Sequence, residues 1–353
     1  MSPAPFSTRL LRWHRSHGRH DLPWQHPRTP YRVWIAEIML QQTQVATVIP
    51  YYVRFLQRFP DTAALARAPL DDVLTRWSGL GYYARARNLH RAAREIVARH
   101  GGEFPRDIEA AVALPGIGRS TAGAILAQAY GARHAILDGN ARRVFARHAG
   151  IPGWPGLPRV TQKLWRAAEA RLPAARLVDY TQALMDLGAT LCTAHAPRCA
   201  DCPVAGDCVA LKRGQVERIP AARPARERPR RSAHLLLIEN GRGELLLERR
   251  PERGIWGGLW CPPLADGKPR KAGCTLLGTL PEIRHAFTHY ELRLTPLRLR
   301  AGRAHLLPAG SDWIRIEQLS RYGLPAPIRK LLRSYSFVGA PSGATGTSAI
   351  GRA

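Results

Sequence analysis

Acidic residues are scarce: 26 Asp and Glu stand against 53 Lys and Arg in 353 residues, leaving a formal net charge of +27. A chain so short of negative charge repels cations and draws polyanions over long range, which points to nucleic acid. Lysine is scarcer still, at five of the 53 cations. Codon usage can favour Arg over Lys, but it does not readily create a charge excess of this size. Long apolar runs are also missing. Stretches such as Leu235-Leu236-Leu237-Ile238 fall far short of the roughly 20 residues that cross a bilayer, and Met1-Ser2-Pro3-Ala4-Pro5 lacks a secretory hydrophobic segment. The expectation is a cytoplasmic protein with no membrane partner, nucleoid-associated if the cell is bacterial. In such a reducing compartment clustered cysteines are more often metal ligands than disulfides.

A 45% hydrophobic composition over this length supports two domains, each with its own core. From about Phe6 to Leu211 apolar residues recur at helical spacing, as in Ile108, Val112 and Leu114, broken by Pro-Gly turns. Arg, Pro and Ala then dominate residues 213–231, with Pro220, Pro224 and Pro229, and predict an extended linker. Beyond it, 234–238 and 244–248 read as a β-hairpin around Asn240-Gly241, and 291–299 as a further strand. The second half is therefore mixed α and β. The last stretch, 335–353, is rich in Gly, Ser, Ala and Thr and is expected to be a disordered tail.

Four of the six cysteines, Cys192, Cys199, Cys202 and Cys208, fall within seventeen residues; Cys261 and Cys274 stand apart. Four thiolates so close can enclose zinc or an iron-sulfur cube. Zinc ribbons usually carry two CxxC knuckles, and here only one pair has that spacing. Upstream, Leu114-Pro115-Gly116-Ile117-Gly118-Arg119-Ser120 places a Gly-x-Gly turn between helical segments, so amides opening the second helix can face a phosphate. Glu37 is the one acid in the apolar run Tyr31 to Leu40, where desolvation disfavours its charge; taken alone it would more often pair with a surface Arg. Asp138, in Leu137-Asp138-Gly139-Asn140, is expected at a helix start and reads alone as an N-cap.

Together these strings resemble the endonuclease III superfamily of DNA glycosylases, and more narrowly the adenine glycosylases of the MutY type, from about Leu10 to Leu332. The resemblance implies an all-α helix-hairpin-helix glycosylase core with an iron-sulfur cluster loop, followed by an α+β MutT-like (Nudix-like) domain. It places a cluster-bearing helical domain at 1–30 and 133–212, a six-helix domain with the hairpin at 31–132, and a lesion-recognition domain at 232–334. The four cysteines are then ligands of a 4Fe-4S cluster, presenting Arg198 to phosphate. Glu37 becomes the acid that protonates adenine, Asp138 the carboxylate that stabilises the sugar cation, and Asn140 its partner in guiding water. Gly116, Gly118 and Ser120 belong to the DNA-gripping hairpin. Bifunctional relatives carry a Lys where Ser120 stands; a serine forms no imine, so hydrolysis without efficient strand cleavage is expected. Gln42 and Tyr82 match residues that fill the gap left by the flipped base, with Arg85 and Arg87 expected near phosphate.

In the second domain Trp256-Gly257-Gly258-Leu259-Trp260 carries the likeness. Between Cys261 and Arg300 the only acids are Asp266, Glu282 and Glu291, too few for a magnesium-holding Nudix helix. Phe287-Thr288-His289 resembles a Phe-Ser-His loop that contacts 8-oxoguanine. Oxidation turns guanine N7 into a donor, which the Thr288 hydroxyl can accept. The expected substrate is double-stranded DNA holding A:8-oxoguanine or A:G mispairs, bound by a monomer. Competing readings are endonuclease III itself, opposed by Ser120, Glu37 and the second domain; a G:T mismatch thymine glycosylase, opposed by length; and a noncatalytic DNA-binding protein, opposed by intact Glu37, Asp138 and Asn140.

Overall fold

The computed structural model describes residues 4–225, 227–252, 254–266, 273–287, 290–302 and 307–335. The chain divides into two compact units, Met1–Arg226 and Glu227–Ala353.

The first unit is helical: α1 Phe6–His17, α2 Pro30–Leu40, α3 Val45–Arg58, α4 Thr62–Arg67, α5 Leu70–Trp77, α6 Ala84–His100, α7 Ile108–Ala113, α8 Arg119–Tyr130, α9 Gly139–His148, α10 Pro158–Glu169, α11 Leu177–Thr190 and the short α12 Val209–Lys212. Several starts are written in short polar side chains. Thr29, Asp61 and Asp107 each accept an otherwise orphaned backbone N–H at the heads of α2, α4 and α7, contacts worth about 1 kcal/mol apiece.

Two apolar cores hold this unit. In one, Trp34, Tyr52, Phe55, Phe59 and Trp77 are almost wholly buried, with Phe55 edge-on to Phe59 and Trp77 at 4.8 and 6.0 Å. Each such ring contributes about 1.5–3 kcal/mol by burial and somewhat more by its edge-to-face geometry. In the other, Phe6, Leu10 and Leu11 of α1 pack with Leu137, Val144 and Phe145, with Leu164 of α10 and with Leu184 and Leu187 of α11. The N-terminal helix thus joins the core beneath the cysteine loop, a long-range pairing that helical periodicity alone does not specify.

The stretch expected to be an extended linker from 213 to 231 is tied into folded structure at both ends. Ile219 is buried, its carbonyl accepts from Arg147 Nε at 2.9 Å, and Ala221 N donates to Gly153 O at 3.1 Å. Arg147 supplies a buried donor that the Pro-rich composition does not reveal. At the other end, β1 already begins at Arg230.

Among the described residues the second unit holds a sheet of eight strands: β1 Arg230–Glu239, β2 Leu245–Arg249, β3 Trp260–Cys261, β4 Leu264–Ala265, β5 Cys274–Thr279, β6 Ile283–Ala286, β7 Glu291–Ala301 and β8 Ser311–Ile314. The main order is β3-β2-β1-β7-β5, with β4 on β1, β6 on β7 and β8 on β2. The central pair β1 and β7 is parallel, with Leu235 opposite Pro296. Pro296 lies where the outer neighbour of β7 changes from β6 to β5, a break in the ladder where a missing N–H costs least. Helix α13, Ala326–Arg333, follows, and Tyr335 bonds the buried Glu239. The remainder of the expected tail, 336–353, lies outside the described residues.

Candidate active site and cysteine loop

A cleft of about 730 Å³ opens in the first unit, lined among others by Glu37, Gln42, Ser120, Asp138, Asn140 and Gln182. That volume lies within the range of roughly 300–1,000 Å³ typical of small-molecule sites, enough for a flipped nucleobase. It brings together residues of α2, α8, α9 and α11, with Glu37 and Gln182 lying 145 positions apart.

Glu37 sits near the end of α2 with its carboxyl withdrawn from water. Burial, chiefly, and then the nearby Asp138 charge push its pKa up to about 8, against a lowering by the Gln128 amide, which donates to Oε1 at 2.8 Å. Asp138 caps α9, accepting from Ala141 N at 2.8 Å. Burial raises its pKa as well, but the amides of Ala141 and Asn140 and the guanidinium groups of Arg143 and Arg142 all oppose that rise. Two carboxyls so close and so withdrawn from water cannot both ionise cheaply. Asp138 has more donors and cations to favour its charge, and Glu37 is the one pushed toward holding the proton, the division of roles an acid and an electrostatic partner need. Asn140 is held by Arg143 Nη2, which donates to Oδ1 at 2.8 Å.

Ser120 opens α8 just past the Gly116 to Gly118 turn. Its Oγ accepts from Leu137 N at 2.8 Å, so it ties the hairpin helix to the loop that carries Asp138. Gly116 has φ +80°, and a Cβ there would come within 2.8 Å of Asn88 Cβ; beside Gly118, a Cβ would meet only open space. The first glycine serves the turn and the second leaves the amides approachable.

Gln42 and Tyr82 are both exposed and both hold left-handed backbone, φ 59° and 49°. Such geometry costs a non-glycine residue about 1–2 kcal/mol and needs outside support. Arg85 supplies it. Rather than reaching for phosphate, it is 8% exposed. Its Nη1 donates to the carbonyls of Met39 at 2.8 Å and Ile38 at 3.1 Å and to that of Gln41, while Nη2 donates to Thr43 Oγ1 at 3.1 Å and Gly81 O at 3.2 Å. One guanidinium thereby joins both loops, a role the sequence showed only as an Arg near Tyr82.

Cys192, Cys199, Cys202 and Cys208 line one small apolar-walled cavity with Val144, Leu187 and Val204. Burial raises the pKa of Cys199, Cys208 and Cys202, the last to about 11. Arg147 Nη1 lies 3.4 Å from Cys192 Sγ and donates to Thr193 O at 2.6 Å, while Arg143 Nε donates to Cys192 O at 2.6 Å. Four thiols around one cavity, walled by aliphatic carbon and flanked by a buried cation, are a donor set suited to an anionic thiolate cluster. Among the described residues no group of three His, Cys, Asp or Glu gathers as a site for a metal ion. Arg198 is exposed, with Nη2 on Thr190 O at 3.3 Å.

In the second unit Phe287 belongs to an aromatic group, its ring centre 4.6 Å from His285, 4.9 Å from Tyr290 and 6.1 Å from Trp256. Thr288 and His289 lie outside the described residues. Among the described residues no helix is long and apolar enough to cross a membrane.

Residues 35–170 match the HhH-GPD superfamily of base excision DNA repair proteins, and residues 234–334 match the NUDIX domain family. Fold and site thus define a helix-hairpin-helix DNA glycosylase joined to a NUDIX-type domain. A thermostable thymine-DNA glycosylase superposes with a TM-score of 0.54 at 29% identity, over 59% of this chain and 95% of its own. Endonuclease III in a non-covalent DNA complex gives a TM-score of 0.51 at 22% identity, over 59% of this chain and 94% of its own, a likeness of fold. The adenine DNA glycosylase of Buchnera aphidicola subsp. Acyrthosiphon pisum is 35% identical over 95% of this chain and 99% of its own length. The human adenine DNA glycosylase is 34% identical over 94% of this chain and 74% of its own. The chain belongs to the adenine DNA glycosylase family, and it is a base excision repair enzyme.

Proposed function

We propose that this glycosylase removes adenine paired with 8-oxoguanine or guanine in duplex DNA, by hydrolysis without strand cleavage. The observation that carries this reading is the pairing of Glu37 and Asp138 in one cleft, with the first held protonated near neutral pH and the second better supplied with donors. Adenine leaves poorly as an anion. Glu37 donates its proton to N7 of the flipped base, the C1'–N9 bond breaks, and Asp138 offsets the positive charge on the sugar while Asn140 helps to place the attacking water. Ser120 has no amine to capture the sugar, and its oxygen is already engaged with Leu137 N.

The hairpin amides at Gly116 and Gly118 and the exposed Arg198 grip backbone phosphates. Gln42 and Tyr82, exposed and stiffly held, enter the duplex where the base has left. Phe287, Thr288 and His289 meet 8-oxoguanine; the Thr288 oxygen accepts from its N7–H and gains less beside normal guanine. Cys192, Cys199, Cys202 and Cys208 hold a 4Fe-4S cluster, which crosslinks the loop that presents Arg198. The enzyme works as a monomer, on chromosomal DNA in the cytoplasm or nucleoid.

Excess protein mixed with labelled duplexes holding A opposite 8-oxoguanine, A opposite G, A opposite T or T opposite G tests the reading, with strands resolved before and after alkali. Alkali-dependent cleavage at adenine opposite 8-oxoguanine and guanine is expected. Thymine release from T:G, or cleavage without alkali, would overturn it.

A further inference from the structure

Gln128 lies on α8, 2% exposed, and both ends of its amide have partners. Its Oε1 accepts from Arg28 Nη1 at 3.1 Å; its Nε2 donates to Glu37 Oε1 at 2.8 Å and lies 3.9 Å from Met185 Sδ. A guanidinium only donates, so the amide must turn its oxygen to Arg28 and its NH2 to Glu37. An N–H directed at Oε1 suits that atom as the carbonyl oxygen of a carboxylic acid and opposes a hydroxyl hydrogen there. The acid proton is thereby left to Oε2.

We propose that Arg28 and Gln128 form a positioning relay that fixes which oxygen of Glu37 carries the acid proton, and so aims it at the leaving base. The inference rests on Glu37 acting as the acid in adenine release. Without Arg28 the amide is free to turn over and offer its oxygen to Glu37. The carboxyl would then direct its O–H in a hydrogen bond to the Gln128 oxygen instead of toward the base. A buried glutamine that merely filled space would leave the titration of Glu37 alone.

The other charged groups around the same cleft are Asp138 and Arg143 on α9 and Arg19, which is paired at 2.6 Å with the buried Asp186 of α11. These remain in every variant below.

Single-turnover adenine excision from a duplex with A opposite 8-oxoguanine, followed from neutral to alkaline pH, tests the relay in the full protein with Gln128→Met, Arg28→Met and both together. Gln128→Met removes the donor that favours the ionised form. Its alkaline inflection should move to higher pH, with a plateau roughly tenfold lower from lost orientation. Arg28→Met, at a partly exposed position, should change both in the same direction, and the double variant should be no slower than Gln128→Met alone. Unmoved inflections in both single variants, or losses that multiply, would overturn the relay. Carboxyl ¹³C titration of Glu37 in the DNA-free protein supplies a readout independent of turnover. The signal should titrate at higher pH in Arg28→Met than in the unaltered protein; an unchanged titration refutes the relay even if adenine excision itself is absent.

Discussion

Asn140 and Cys192 share one guanidinium: Arg143 donates from Nη2 to Asn140 Oδ1 at 2.8 Å and from Nε to the Cys192 carbonyl at 2.6 Å, with a further bond to Gly188 O at 2.6 Å. The cleft and the cysteine loop are thus braced by the same side chain on α9. A lysine has no fork with which to make three divergent bonds. Arg143→Lys should lower single-turnover adenine excision by roughly tenfold or more while mispair binding, measured by gel shift or anisotropy, changes little. Unaltered excision would show that Asn140 keeps its place without the brace.

Arg85 supports Gln42 and Tyr82 by donating to carbonyls on both loops. Replacing it with Ala strands several buried carbonyls, and should destabilise the first unit by about 2–4 kcal/mol in chemical denaturation. Arg85→Lys should recover part of that stability but not the loop geometry. Fluorescence of 2-aminopurine at the target position, which reports base unstacking, should therefore remain weaker than in the unaltered protein.

Ser120 faces the cleft that Asp138 shares. Ser120→Lys places an amine near the sugar carbon, so borohydride should trap a covalent protein–DNA adduct that the unaltered protein does not form. The same change removes the acceptor of Leu137 N, a loss of about 1 kcal/mol or more.

Much of this was legible in the sequence because it is local. The Gly116 to Gly118 turn, the Asp138 cap, the hairpin at Asn240 and the spacing of the four cysteines each follow from a few neighbouring residues. The association of α1 with α9 to α11 was implied only by the family resemblance, which set 1–30 beside 133–212; periodicity does not carry it, since an amphipathic helix does not name its partner. Gln128 was missed for a related reason: on a helix that reads as apolar core, a lone amide looks like a packing residue, and its tie to Glu37 and Arg28 exists only in three dimensions. Arg85 misled outright. Its charge suggested phosphate, whereas burial among carbonyls turned it into a brace.

The measurement that bears most directly on the mechanism is single-turnover excision of adenine opposite 8-oxoguanine by the unaltered enzyme and by Glu37→Gln as pH is raised. Only the protonated carboxyl can donate, and burial beside Asp138 sets its pKa near 8. The unaltered rate should therefore hold at neutral pH and fall through an inflection near 8, and Glu37→Gln should bind the mispair yet release no adenine at any pH. Excision by Glu37→Gln at the unaltered rate would contradict the assignment of Glu37 as the acid.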